Sequence, residues 1–281
     1  MIAGTSRCLL LAACIAITAL LCALPAHAAD TWKTLEPGLE YGTFPTSDTP
    51  DNAAAPLHIL RIDPNYFDFT LLTAKERGVQ RTAAAWVHDY NLLAAVNAGM
   101  FQQDGVTNVG FMRSPTHTNN PASNHYQSLF AFQPTPDAGA GAPRARLFDL
   151  DSDAFQRIAA TYTGMVQNLR LIKRPGKNRW GQQPTKWSEV ALGQDAAGRI
   201  LFIFSRAPLS MHQFNNRLLA LPLDLQCAQH LEGGPEASLV VAHPALRLSL
   251  WGSFETSFNE NDGNPDPWPI PNVLGIVRRS P

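Results

Sequence analysis

The stretch His230-Leu231-Glu232-Gly233-Gly234-Pro235-Glu236-Ala237-Ser238-Leu239 joins an apolar segment to a strand that begins at Leu239. Two adjacent glycines can take positive backbone dihedrals and leave room for a bulky ligand. Glu232, Glu236 and Ser238 place two acids and a hydroxyl beside that gap, and successive amides in such a turn can bind an anion. The decapeptide therefore predicts a site for phosphate chemistry. The alternative is an ordinary Gly-Gly-Pro turn with two solvated glutamates.

The first 28 residues have the pattern of an export signal. They contain one charge, Arg7, then an uncharged run from Cys8 to Leu24, and they end in Pro25-Ala26-His27-Ala28. This pattern predicts a signal peptide cleaved after Ala28 and a periplasmic or secreted protein. An uncleaved membrane anchor is one alternative, because the apolar run is about as long as a short membrane span. Lipoprotein processing at Cys14 is another.

The composition excludes several classes of partner. The chain has 22 Lys plus Arg and 23 Asp plus Glu, and removal of Arg7 leaves 21 against 23, a formal charge of −2. This balance predicts no nucleic-acid partner and no stable membrane association after signal cleavage. The mature chain is long enough to close one core. We expect an extended lead-in over residues 29–56, with at most one edge strand, and a single globular domain over residues 57–281.

Short alternating segments separated by turn residues predict an α+β fold with mixed, largely antiparallel sheets and a few helices. The strands at 57–62 and 67–73 flank Asp63-Pro64-Asn65 and are predicted to form a hairpin. A second hairpin is expected at 188–194 and 199–205. Helices are predicted over 83–90, after Thr82, and over 211–220, where Ser210 and Gln213 have capping-box spacing. Residues 163–172 are predicted to be one strand.

Two further features suggest a ligand cleft. A buried strand over 92–96 ends in Asn97-Ala98-Gly99, which either grips a hydroxyl-rich ligand or simply closes the strand in a turn. Residues 173–187 and 243–271 are long polar segments with tryptophans, and we expect both to border the same cleft. Trp180 beside basic residues suits an anionic sugar. The alternative is that the tryptophans only anchor these loops.

These motifs together resemble the phosphodiester glycosidase family, the bacterial relatives of the mammalian lysosomal uncovering enzyme. The family's Ala-Val-Asn-Gly-Gly-(Phe/Tyr)-Phe strand end is matched by Ala95-Val96-Asn97-Ala98-Gly99-Met100-Phe101. Its Ala-Ile-Gly-x-Asp-x-x-Gly-Arg hairpin is matched by residues 191–199, and its Leu-Asp-Gly-Gly-x-Ser-Ser motif by residues 231–238. Glu232 replaces the family's aspartate, and Glu189 stands where an arginine that could bind phosphate is common.

The resemblance implies an exported hydrolase that cleaves the C1–O bond of a sugar-1-phosphodiester or related envelope glycan, with no metal or cofactor required. The candidate catalytic residues are Glu232, Glu236 and Glu189. The candidate substrate-binding residues are Asn97, Gly99, Arg113, Lys186, Gly233, Gly234, Ser238 and Trp180. Because positions 189 and 232 depart from the family pattern, the alternative is a glycan-binding protein of exopolysaccharide or cell-envelope assembly that has lost catalysis.

Overall fold

Alternating apolar residues give this chain many short strands and few helices. The computed structural model describes residues 32–47 and 55–280. In chain order, its strands are β1 (Trp32–Glu36), β2 (Leu39–Phe44), β3 (Leu57–Ile62), β4 (Phe67–Thr73), β5 (Ala94–Asn97), β6 (Met112–Arg113), β7 (Thr118–Asn120), β8 (Ser128–Pro134), β9 (Ala145–Asp149), β10 (Tyr162–Asn168), β11 (Arg170–Lys173), β12 (Lys177–Asn178), β13 (Trp187–Asp195), β14 (Ile200–Leu209), β15 (Leu225–Gly233), β16 (Ser238–His243), β17 (Leu246–Trp251) and β18 (Asn272–Arg278). The helices are α1 (Ala74–Arg77), α2 (Ala83–Asp89), α3 (Phe155–Thr161) and α4 (Met211–Ala220).

The strands form three sheets. The largest has the order β1-β2-β3-β14-β13-β15-β11-β12, the second β7-β6-β10-β8-β9 and the third β17-β16-β5-β18-β4. Within these sheets the described neighbours pair in antiparallel register, as β13 does with both β14 and β15. The predicted α+β class with largely antiparallel sheets in one domain is confirmed.

The main core lies where the three sheets meet, and aromatic side chains from each sheet pack there. Phe69 on β4 contacts Phe130 and Phe132 on β8, with ring centroids 5.2 and 6.3 Å apart. It also packs edge-on against Phe202 of β14 at 6.1 Å. All four rings are at most 2% exposed. Aromatic contacts of this kind add to the hydrophobic stabilisation from burial, so this cluster ties the sheets together.

Helices cover outer faces of the sheets, and their ends follow the predicted caps. Ser210 and Gln213 form a capping box on α4, with Gln213 N donating to Ser210 Oγ at 3.3 Å and Ser210 N donating to Gln213 Oε1 at 3.1 Å. Thr82 caps α2 through Ala85 N. The two predicted helices are therefore found within one residue of their expected bounds.

Four features differ from the sequence predictions. β3 and β4 have the expected bounds, but they do not form a hairpin, because β3 pairs with β2 and β14 whereas β4 pairs with β18. Residues 163–172 are two strands of different sheets, β10 and β11. Residues 243–271 contain β17, which pairs with β16. The described part of the lead-in supplies two strands, β1 and β2, rather than one.

The N-terminal prediction lies outside the described residues. This applies to the signal peptide at residues 1–28 and to the start of the lead-in. The described residues belong to one compact unit. Within residues 32–47 and 55–280, no helix has the length and apolar character needed to cross a membrane.

Candidate active site

The ends of β5 and β15 and the starts of β13 and β16 lie close together. Asn97, the last residue of β5, accepts a hydrogen bond from Ser238 N at 2.8 Å through Oδ1. Ser238 Oγ in turn donates to the carbonyl of Glu236 at 3.1 Å. Asn97 is only 2% exposed, and its Nδ2 is a buried donor without a partner among the described residues. Asn97 therefore links residues 95–101 and residues 231–238, two of the segments that resemble family motifs, through a direct hydrogen bond.

A cavity of about 180 Å³ opens beside this junction. Typical ligand clefts have volumes of about 300–1,000 Å³, so this cavity has room for part of a sugar phosphodiester rather than all of it. Its lining is acidic, aromatic and apolar. The residues that line it are Met100, Leu169, Trp187, Met211, His230, Glu232, Gly233 and Glu255.

Glu232, one of the three candidate catalytic residues, lines this cavity. Its Oε1 accepts a hydrogen bond from Gly233 N at 3.1 Å. Burial raises the pKa of Glu232 to about 8, and Glu236 and Glu255 push it in the same direction, against the opposing effects of His230 and the Gly233 amide. At neutral pH, Glu232 is therefore mostly protonated and able to donate a proton.

Two more carboxyls share this environment. Burial raises the pKa of Glu236 to about 7, and the charge of Glu255 raises it further. Burial also raises the pKa of Glu255. Carboxyls that interact in this way titrate as a group rather than singly.

Glu189 does not reach the cavity as a free acid. It is 2% exposed, and Oε1 is paired with His230 Nδ1 at 2.6 Å. Its Oε2 accepts a hydrogen bond from the indole Nε1 of Trp187. Both oxygens are thus engaged by residues that line the cavity. Burial opposes the charge on His230, but Glu189, Glu232 and Glu255 outweigh this effect and raise the pKa of His230.

The adjacent glycines make room for the protein's own side chains. A Cβ atom on Gly233 would overlap the ring of Trp187, and a Cβ atom on Gly234 would overlap the carboxyl of Glu255. Gly234 also has φ +65°, which favours glycine. Because Gly233 and Gly234 have no side chains, Trp187 and Glu255 can pack against them. These two residues come from segments that are distant in sequence, and both line the cavity.

Those two segments meet, as residues Trp187 and Glu255 form an antiparallel bridge. Ser188 N donates to Phe254 O at 2.9 Å, which fixes their register. Lys186 is exposed beside this bridge, and its backbone N donates to Thr256 Oγ1 at 2.9 Å. The long segments 173–187 and 243–271 therefore contribute Trp187 and Glu255 to one cavity.

Three predicted binding residues have other contacts. Arg113 donates through Nη2 to the carbonyls of Ala159 and Tyr162, at 2.9 and 2.6 Å. The indole of Trp180 donates to Arg170 O at 2.7 Å and packs on the apolar cluster under α4. Gly99 has φ +76° and lies against Asn108, with no room for a side chain. None of the three lines the cavity.

Trp187 is one of the tryptophans that the sequence predicts to border the cleft, and it lines the cavity. The sequence assigns no role to His230 or Glu255. His230 has a usable signal, because residues two apart on a strand face the same side and His230 precedes Glu232 by two. Glu255 has no comparable signal, since its place depends on a bridge with Trp187, 68 positions earlier in the chain.

The site can now be compared with known proteins. A profile of the phosphodiester glycosidase family matches residues 90–277, more than half of the chain and the part that contains the cavity. The chain belongs to the phosphodiester glycosidase family. No match is found among curated proteins.

Solved structures share the fold of this chain. One is the catalytic domain of zebrafish N-acetylglucosamine-1-phosphodiester alpha-N-acetylglucosaminidase, auto-inhibited by its pro-peptide, with 16% identity and a TM-score of 0.62. The match covers 88% of this chain and 86% of that one. A hypothetical protein from Synechocystis matches with 13% identity and a TM-score of 0.55, over 86% of this chain and 62% of that one. At these identities the likeness shows the fold alone.

Proposed function

We propose that this protein is an exported hydrolase that cleaves the bond between C1 of a sugar and a phosphodiester oxygen. The observation that carries the proposal is Glu232, a carboxyl at the family's motif position that lines the cavity with a pKa raised to about 8. A group that remains protonated at neutral pH suits general-acid catalysis.

The reaction needs one proton donor and one water. The C1–O bond breaks, and its electron pair stays on the phosphate oxygen, to which Glu232 donates a proton. Water adds to C1 and loses a proton to a second carboxyl. Glu236 is the candidate for that role, because both oxygens of Glu189 are engaged by Trp187 and His230. The products are the free sugar and a phosphate monoester.

The substrate class follows from the family and from the shape of the site. The zebrafish relative is named for an N-acetylglucosamine-1-phosphodiester, and we extend that substrate class to this chain. Asn97 and Ser238 stay candidates for sugar binding, although their Oδ1 and backbone N already bond to each other. Trp187 offers an aromatic wall for the sugar ring.

The purified protein should release free sugar from an N-acetylglucosamine-1-phosphodiester. Glu232→Gln is expected to lower kcat by about 100-fold to 10,000-fold, as loss of a general acid does. Full activity in this variant would remove Glu232 from the mechanism. The export part of the proposal rests on residues 1–28, and mass spectrometry of the protein recovered from the periplasm or medium should give a chain that begins at Ala29.

A glycan-binding role without catalysis is the second candidate. It is favoured by one observation: among the described residues that line the cavity, none is a lysine or arginine. Binding to a glycan array with no hydrolysis of any phosphodiester would support this role. Hydrolysis that is abolished by Glu232→Gln in a folded variant would exclude it.

A further inference from the structure

None of the described residues that line the cavity is the lysine or arginine that a phosphodiester site ordinarily uses. Phosphate oxygens are usually met by arginine, lysine or oriented amides. Here Arg113 is bound to backbone carbonyls, and Arg170 is paired with Asp149 and Asp151. Arg206 is held by Asp262 and by Trp251 O. The amide of Gly233 is engaged by Glu232.

His230 is the basic side chain that lines this cavity. Its Nδ1 is paired with Glu189, and its Nε2 has no hydrogen-bond partner among the described residues. His230 is 3% exposed, and its Nε2 keeps a small accessible surface where the residue lines the cavity. The indole of Trp187 lies edge-on to the imidazole, with ring centroids 6.4 Å apart. These contacts fix the ring and direct one N–H outward.

The two members of the pair come from neighbouring strands. Glu189 belongs to β13 and His230 to β15. Glu189 is 2% exposed, so the pair is enclosed by the protein and Glu189 is placed as the counter-ion of His230.

We infer that His230, held as an imidazolium by Glu189, donates through Nε2 to the phosphate of the substrate and is the anion-binding residue of this cavity. The inference rests on the proposed function and names the residue that selects for phosphate. Glu189 is a positioning residue in this arrangement, because it acts through His230. The Nε2–H of a positively charged imidazolium forms a stronger hydrogen bond to phosphate than a neutral donor does.

The surrounding charges make the inference dependent on pH. Glu189 of β13, Glu232 of β15 and Glu255 of the segment after β17 face His230, and together they raise its pKa. The pKa values of Glu232 and Glu255 are themselves raised, so at acidic pH both carboxyls are neutral while His230 keeps its charge. As pH rises, the carboxyls ionise and His230 loses its proton. Phosphate binding should therefore weaken.

The test compares an anionic ligand with a neutral one. Calorimetry gives Kd for N-acetylglucosamine-1-phosphate and for the uncharged methyl glycoside of the same sugar, and their ratio is the phosphate preference. In His230→Gln this preference is expected to fall by about 10-fold to 100-fold. His88→Gln is the matched control, because His88 is 89% exposed on α2.

Two further variants keep the test decisive. His230→Gln leaves the buried carboxylate of Glu189 without its partner and is liable to unfold, so the double variant Glu189→Gln/His230→Gln removes both charges together. The same loss of preference is expected there. Glu189→Gln alone should lower the pKa of His230, followed by NMR of the ring, and should move the loss of phosphate binding to lower pH.

The outcomes separate this inference from the proposed function. An unchanged phosphate preference in the folded double variant would overturn the inference, whether or not the protein hydrolyses phosphodiesters. If the phosphate preference depends on His230 but the protein hydrolyses no phosphodiester, the result would support this inference and contradict the proposed hydrolase function. A loss of phosphate binding in Glu189→Gln at the same pH as in wild type would also count against the pair.

Discussion

The carboxyl of Glu255 occupies the space that a side chain at position 234 would fill. Gly234 lies in the turn between β15 and β16, and Glu255 belongs to a segment that follows β17. A glycine that looks in sequence like a ligand-binding turn is thus required by a contact inside the protein. The same holds for Gly233, whose missing side chain admits the indole of Trp187.

Gly234→Ala should therefore lower the free energy of unfolding more than the same substitution at another glycine with a positive φ. Gly198 is the matched control, because it has φ +86° and no atom within 4 Å of an added Cβ. Gly198→Ala is expected to cost about 1–2 kcal/mol for the backbone alone. Gly234→Ala should exceed this by at least about 1 kcal/mol in chemical denaturation, and Glu255→Ala in the same chain should recover the excess. Equal costs at the two glycines would contradict the overlap.

The sequence predicted elements better than it predicted their partners. β3 and β4 were placed to the residue, yet their assignment to a hairpin is wrong. A Pro-Asn turn reports only that the chain changes direction there. Whether the next strand joins the same sheet depends on which of its faces is buried. Phe69 of β4 packs against Phe202 of β14 across the core, because β4 lies in a different sheet from β3 and β14.

The sequence likewise predicted some residues of the site and not others. The motifs around Asn97 and Glu232 were recognisable because each is a local pattern at the end of a strand. The Glu189–His230 pair depends on the register of β13 against β15, which shifts between Val190 and Ala191. No local pattern in the sequence contains that shift. Glu255 is set by a single bridge with Trp187 and was equally hidden.

Hydrolysis of phosphodiester substrates is expected to be fastest between about pH 7 and pH 8 and to decline on both sides of that range. Burial raises the pKa of Glu236 to about 7 and that of Glu232 to about 8. Glu236 must be ionised to take a proton from water, so the rate falls as pH drops below its pKa. Glu232 must be protonated to act as the acid, so the rate falls as pH rises above its pKa. The profile of kcat/KM from pH 5 to pH 9 checks this. A rate that climbs steadily to pH 9 would show that Glu232 is not the acid.

Glu232→Gln should stabilise the protein in alkaline solution. The native carboxyl has a pKa of about 8 against 4.5 for the ordinary group, so between these values the native state binds more protons than the unfolded state. The free energy of unfolding therefore falls as pH rises through this window, and the glutamine variant avoids that loss. We expect its Tm to exceed that of wild type by about 5 °C at pH 9 and to match it at pH 4. The same difference at both pH values would argue against ionisation as the cause.

Asn97→Ala should lower stability before any effect on binding is considered. The substitution removes the acceptor for Ser238 N, a buried donor, and such a loss costs about 1–3 kcal/mol. Asn65→Ala is the control, since Asn65 is exposed in the turn between β3 and β4. Urea denaturation of both variants measures the difference. If Asn97→Ala were as stable as wild type, the role of Asn97 would be to bind the ligand and not to hold β5 against β16.

Trp187→Phe and Trp180→Phe make the same chemical change in two different settings. Each removes one indole hydrogen bond from a partly buried ring, to Glu189 for Trp187 and to Arg170 O for Trp180. Each should lower the free energy of unfolding by about 1 kcal/mol. Only Trp187 lines the cavity and holds Glu189, so we expect kcat/KM to fall about 10-fold in Trp187→Phe and to stay within about twofold in Trp180→Phe. Because the two variants lose similar stability, a difference in rate cannot arise from partial unfolding. If both variants lost activity equally, the loop that contains Trp180 would have to contribute to the substrate site directly.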